Sequence, residues 1–152
     1  MLVGKESPDF TLKNVNGKEV KFSDFKGKVV LLSFFGTWSK LSRKQIPHLE
    51  KLHKKYNKSG LVLLGITAEK NRKKLGKFVL KQRLSYPILM GNRKTFKAYK
   101  VGGMPDTYYI DIAGKVVARD VGFKKSSEKK MEARIKKLLE MAKCDVKKDA
   151  HQ

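Results

Sequence analysis

A single cysteine, Cys144, stands in 152 residues, so the chain can close no internal disulfide and must be held by its core. Acidic residues are scarce: 14 Asp and Glu against 36 Lys and Arg leave a formal net charge of +22. Long apolar runs are missing too. The longest, Val29 to Phe35 and Leu61 to Ile66, are strand-sized, whereas a bilayer span needs about 18 apolar residues or more. No transmembrane segment is therefore expected. No signal peptide is expected in the sequence as given, since Ser7-Pro8-Asp9-Phe10-Thr11-Leu12 already reads as domain sequence, which fits either a cytoplasmic protein or one whose leader has been removed. Lone Cys144, in a lysine-rich tail, reads as an inert thiol and says nothing about compartment. Nor do aromatic residues interleave with the basic ones. Lys and Arg spread over three helical stretches, Arg43 to Lys58, Lys70 to Arg83 and Lys124 to Lys148, as solvated helix faces do, so no nucleic-acid partner is expected. An excess of this size still steers anionic partners toward the chain.

What is present suffices for one domain. A hydrophobic content of 40% over this length can bury a core without metal or disulfide staples, and the chain reads as a monomer. The domain is expected over residues 1–143, with 144–152 a polar, frayed tail. Short extended pieces, Phe10-Thr11-Leu12 and Glu19-Val20-Lys21-Phe22, flank an Asn16-Gly17 turn and predict a β-hairpin. Val29 to Phe35, apolar except for Ser33 and bounded by Gly27 and Gly36, predicts a central strand covered on both faces. Ile46, Leu49, Leu52 and Tyr56 recur at helical spacing, and Gly60 stops that helix before a strand over Leu61 to Thr67. A βαβ unit follows from that order. A helix over about Asn71 to Arg83, an extended Tyr86 to Leu89 and a short helix at Thr95 to Tyr99 come next. Ala113-Gly114 then joins a second hairpin, Thr107 to Ile112 with Lys115 to Val121. A last helix, about Ser126 to Lys143, places Met131, Ile135, Leu138 and Ala142 on one stripe. This order predicts an α/β, three-layer, thioredoxin-like sandwich: a mixed sheet, helices on both faces and an N-terminal hairpin.

At the end of the central strand, Phe34-Phe35-Gly36-Thr37-Trp38 leads into Ser39-Lys40-Leu41-Ser42 and then into the helix. Two small hydroxyl residues three apart, at a strand-to-helix junction behind a tryptophan, form the chain's most informative segment. A helix N-terminus offers free backbone N–H groups and a partial positive charge to whatever sits there.

These blocks resemble the TlpA/ResA group of thioredoxin-fold thiol-disulfide oxidoreductases, within the redoxin or AhpC/TSA superfamily. The similarity runs through Ser7 to Leu12, Asn16-Gly17-Lys18, Phe25 to Leu32, Phe35 to Trp38, Tyr86 to Leu89, Gly103 to Thr107 and Ile110-Asp111. The resemblance implies redox cysteines at the positions of Ser39 and Ser42. There a helix N-terminus stabilises the first thiolate, which attacks a substrate disulfide, and the second cysteine releases the mixed intermediate. Serine forms no disulfide and ionises far less readily, so the chain as it stands lacks that redox couple. The resemblance further implies that Pro105 is a cis-proline facing the site, where the preceding backbone can pair with an extended segment. Met104 stands where Thr or Val is commoner in the family, Trp38 covers the site, and Glu69 matches a carboxylate beneath the cysteine pair that handles the second thiol's proton. The implied substrate is a protein or peptide thiol or disulfide, with apocytochrome c among the family's targets. An extracytoplasmic location, periplasmic or membrane-anchored in the full-length form, is implied as well. No cofactor and no metal are expected.

Competing chemistries fit less well. His48 and His53 are five apart on a helix, on different faces, with no evident ligand set around them. Ser39 has neither a Gly-x-Ser-x-Gly elbow nor His and Asp partners for a hydrolase. A peroxiredoxin would need the missing catalytic cysteine. Two readings stay open: a TlpA/ResA-like oxidoreductase in which both cysteines were replaced by serine, or a natural, redox-silent, thioredoxin-fold module that binds extended peptides.

Overall fold

The computed structural model describes residues 2–150 and shows a thioredoxin-like α/β fold built on one seven-stranded mixed sheet. The strands are β1 (Thr11–Asn14), β2 (Glu19–Lys21), β3 (Val29–Phe35), β4 (Leu61–Thr67), β5 (Ile88–Met90), β6 (Asp106–Ile110) and β7 (Val116–Val121). The helices are α1 (Lys40–Tyr56), α2 (Arg72–Lys81), α3 (Arg93–Ala98) and α4 (Ser127–Ala150). Across the sheet the order is β2-β1-β5-β4-β3-β6-β7. β3, β4 and β5 run parallel, while β1, β6 and β7 each pair antiparallel with a neighbour.

β3 takes the central place because its side chains are apolar on both faces, and all seven of its residues are buried. On one face Val29, Leu31 and Phe35 meet Ile46, Leu49 and Leu52 of α1, Leu75 of α2, and Met131 and Ile135 of α4. On the other, Val30, Leu32 and Phe34 meet Phe10, Phe22, Tyr99 and Tyr108 below α3. Each of these fully buried aliphatic or aromatic side chains contributes about 1.5–3 kcal/mol relative to exposure.

Turn chemistry sets both hairpins where the sequence placed them. Asn14 Oδ1 accepts from the N–H groups of Asn16 and Lys18, and Gly17 takes φ 82°, closing β1 onto β2 with Leu12 opposite Val20. Asp111 Oδ1 accepts from Ala113 and Lys115, and Gly114 takes φ 83°, closing β6 onto β7. Asn71 and Asn92 cap α2 and α3 by accepting from Lys74 and Thr95. α4 runs past the expected end at Lys143, because Cys144 to Ala150 contains neither Gly nor Pro to stop it. The last two residues of the expected tail, His151 and Gln152, lie outside the described residues.

Candidate active site at the carboxyl ends of the parallel strands

The carboxyl ends of β3 and β4 and the start of β6 open on the same end of the sheet, since Phe35 pairs with Thr67 and Phe34 with Asp106. That register brings the Trp38–Ser42 segment, the Glu69 loop and the Met104–Pro105 bond to one place. In open α/β sheets ligand sites lie at such strand ends.

Ser39 is the N-cap of α1. Its backbone is extended (φ −80°, ψ 120°), and its Oγ accepts from the Ser42 N–H at 3.2 Å. Ser42, one turn in, is buried, and its Oγ accepts from the Gly36 N–H at 3.3 Å. The two hydroxyls are thus unequal: Ser39 is half-buried at the surface and Ser42 lies behind it. Among the described residues no His, Asp or Glu hydrogen-bonds either serine, so neither hydroxyl has a general base to activate it. The first turn of α1 carries no acidic residue.

Trp38 is 61% exposed, and its ring lies over Gly36. A Cβ added at Gly36 would sit 2.8 Å from that ring, so glycine is what lets the indole fold back over the strand end. The Met104–Pro105 peptide bond is cis. Pro105 is buried, and its carbonyl accepts from the Gly122 N–H at 2.7 Å, which ties the loop before β6 to the end of β7. Met104 is half-buried beside it.

Glu69 is drawn toward α2. Its Oε2 accepts from Thr37 Oγ1 at 3.4 Å and lies 3.8 Å from Lys74 Nζ, and its Oε1 accepts from the Asn71 N–H at 3.0 Å. No hydrogen bond joins it to Ser39 or Ser42 among the described residues. Its contacts with Thr37, Asn71 and Lys74 fasten the loop before α1 to the start of α2.

The polar group behind Ser42 is one that sequence reasoning missed. Gln45, 1% exposed, accepts from Ser33 Oγ at 2.9 Å and donates from Nε2 to Thr107 Oγ1 at 3.1 Å. All three side chains are buried, and Ser33 and Thr107 are register partners on β3 and β6. The network pins the start of α1 to two strands. Two signals were available: Gln45 falls in phase with Leu49, Leu52 and Tyr56, and Ser33 breaks an otherwise apolar strand. A second buried polar group, Asp106, is held by Arg119 through Nε at 2.9 Å and Nη2 at 2.6 Å. His48 packs against Phe123 and His53 against Tyr86, with ring centroids 6.2 and 6.1 Å apart. Cys144 is exposed on α4.

The AhpC/TSA family profile matches residues 3–119. Thiol-disulfide oxidoreductase ResA of Bacillus thuringiensis (strain Al Hakam) is 32% identical over 139 residues, 91% of this chain and 79% of that protein. The thioredoxin-like protein YneN of Bacillus subtilis (strain 168) is 37% identical over 134 residues, 87% of this chain and 78% of YneN. Among solved structures, a proposed thiol:disulfide interchange protein DsbE from Chlorobium tepidum superposes with a TM-score of 0.83 at 29% identity, over 88% of this chain and 95% of that one. With the strand-end loop, its capped helix and the Met104–Pro105 turn all in place, the chain belongs to the AhpC/TSA family and, within it, to the ResA-like thiol-disulfide oxidoreductases.

Proposed function

We propose that this chain holds an extended segment of a partner protein at the Trp38–Ser42 and Met104–Pro105 surface without exchanging disulfides with it. The observation that carries the reading is the pair Ser39 and Ser42, at the cap and in the first turn of α1, where the family's chemistry needs two thiols. A thiolate at Ser39 would attack a substrate sulfur, displace the partner sulfur as a thiolate, and be released by a second thiol at Ser42. Two hydroxyls can do none of this. Trp38 and Met104 would line the bound segment, and Glu69 would hold the loop that presents them. By the family resemblance the partner is a secreted or exported thiol protein, apocytochrome c being one class, and the place of action lies outside the cytoplasm.

A natural redox-silent module is favoured by one observation: both serine oxygens already have backbone N–H donors, so each serine fits its place. Gene sequence decides the origin of the serines, Ser codons marking a natural module and Cys codons a replaced pair. Function is tested by the double substitution Ser39→Cys and Ser42→Cys. The restored pair should form a disulfide under mild oxidation and catalyse insulin reduction, while the parent does neither. Failure of the restored thiols to pair would mean that this strand end is not a thiol-exchange site.

A further inference from the structure

Among the described residues six large apolar side chains are well exposed, and three of them, Trp38, Leu41 and Val121, share the end of the sheet that carries Ser39. Val121 is placed there by its pairing with Asp106, and its Cγ1 lies 3.5 Å from where a Cβ on Gly103 would be. Trp38 and Val121 are each 61% exposed and Leu41 is 42% exposed, so half of the exposed large apolar side chains lie at this one end. The apolar centre has a basic rim. Lys40, Arg43 and Lys44 are exposed in the first turns of α1, Lys70 lies beyond β4, and Lys124 follows Val121. Lys40 and Arg43 sit at the positive end of the helix dipole, where a stability optimum would place Asp or Glu.

Carboxylates that could neutralise this rim are few and occupied. Between Phe25 and Pro105 the chain has only Glu50 and Glu69. Glu50 is taken by Ser85, and Glu69 by Thr37, Asn71 and Lys74. Asp106 is buried against Arg119, Asp120 is held by Tyr109 and Arg134, and Glu128 lies beside His48. The basic charge at this end therefore faces outward unpaired by the fold.

We infer that the segment bound here is acidic, with Asp and Glu flanking an apolar residue that packs on Trp38, Leu41 and Val121. This rests on the peptide-binding reading above and names its substrate class. An apolar centre with a charged rim is the anatomy of a protein interface. A single-stranded nucleic acid would want a series of aromatic platforms, and Trp38 is the one exposed aromatic among these residues.

Trp38 is also the only tryptophan in the chain, so the site carries its own fluorophore. The test titrates the protein with a short peptide bearing a central Leu between Asp and Glu residues, and with the same peptide carrying Asn and Gln instead. A single-stranded oligothymidylate of equal charge is titrated in parallel. The acidic peptide should shift Trp38 emission saturably and bind about tenfold more tightly than its amide counterpart at about 50 mM salt, the gap closing at about 500 mM. Lys40→Glu with Lys44→Glu should lower acidic-peptide affinity by about tenfold or more, and Lys26→Glu with Lys58→Glu, of equal charge change at the opposite end of the sheet, should not. Equal affinity for the two peptides overturns the acidic assignment and leaves peptide binding standing. Absence of any saturable change with either peptide overturns both. Oligothymidylate binding as tightly as the acidic peptide, or equal losses in the two double variants, overturns the assignment of an acidic protein segment to this surface.

Discussion

Replacing Gln45 with leucine should destabilise the fold out of proportion to its size, and compensating changes should undo the loss. In the parent, the Ser33 hydroxyl donates to Gln45 Oε1, and Thr107 Oγ1 accepts from Gln45 Nε2. Gln45→Leu leaves the buried Ser33 hydroxyl without an acceptor and Thr107 without its donor. Each orphaned group costs about 1–3 kcal/mol, so the two together cost about 2–6 kcal/mol. Leucine returns about 1.5–2 kcal/mol through apolar burial, which leaves a net loss of about 0–4.5 kcal/mol, centred near 2. For a chain of this size that corresponds to about 2–4 °C of melting temperature per kcal/mol. The triple variant Gln45→Leu, Ser33→Ala, Thr107→Val removes donor and acceptors together and should come back to within about 1 kcal/mol of the parent. Urea unfolding at constant m-value reads all of these. A triple variant less stable than the Gln45→Leu single variant would refute the reasoning, since it would mean that the three groups are not one hydrogen-bonded unit.

Two further outcomes follow from the same region. Ser39→Ala removes the cap of α1 and should lower stability by about 0.5–2 kcal/mol in thermal melts, while Ser39→Asp, which also caps and suits the helix dipole, should hold or exceed the parent value. Burial lowers the pKa of His48 below 6.5, against the opposing pull of Glu128 and Glu132. A base with a depressed folded pKa gives stability that is complete above the unfolded value and lost as pH falls through the folded one. Chemical denaturation should therefore show a loss beginning below about pH 6.5 that His48→Phe reduces; an unchanged pH profile in that variant would assign the loss to other groups.

Much of the fold was legible because local signals and burial agree. β3 and β4 were readable as buried strands from their apolar runs, both hairpins from glycine-bearing turns, and α1 from the spacing of Ile46, Leu49, Leu52 and Tyr56. Neighbourhood across the sheet was less legible, because pairing of β1 with β5 joins residues far apart in sequence and leaves no local mark. The serine pair, Trp38 and Pro105 could be placed from the chain alone, since each sits at a fixed offset from a strand end. The partners of Glu69 could not, because where a carboxylate in a loop points depends on Thr37 and Asn71, which the sequence separates from it by different distances. Gln45 was hidden for a related reason: a glutamine on a helix is usually solvated, and only the hydroxyls of Ser33 and Thr107 make its burial favourable.

The strand order has a consequence for how the protein behaves when crowded. A sheet with two open edges can grow by recruiting strands from another chain. Here one edge is β2, three residues long with exposed Glu19 and Lys21. On the other, the amino-terminal segment crosses the start of β7, where Gly4 donates to the Val116 carbonyl and Val116 donates to that of Lys5, and charged Arg119 and Asp120 follow. A shift in register between Tyr109 and Ile110 bends the β6–β7 pair further away from a flat template. With both borders guarded, the large positive charge repels like copies while the sheet offers them nothing to extend, so concentrated solutions should resist cross-strand aggregation.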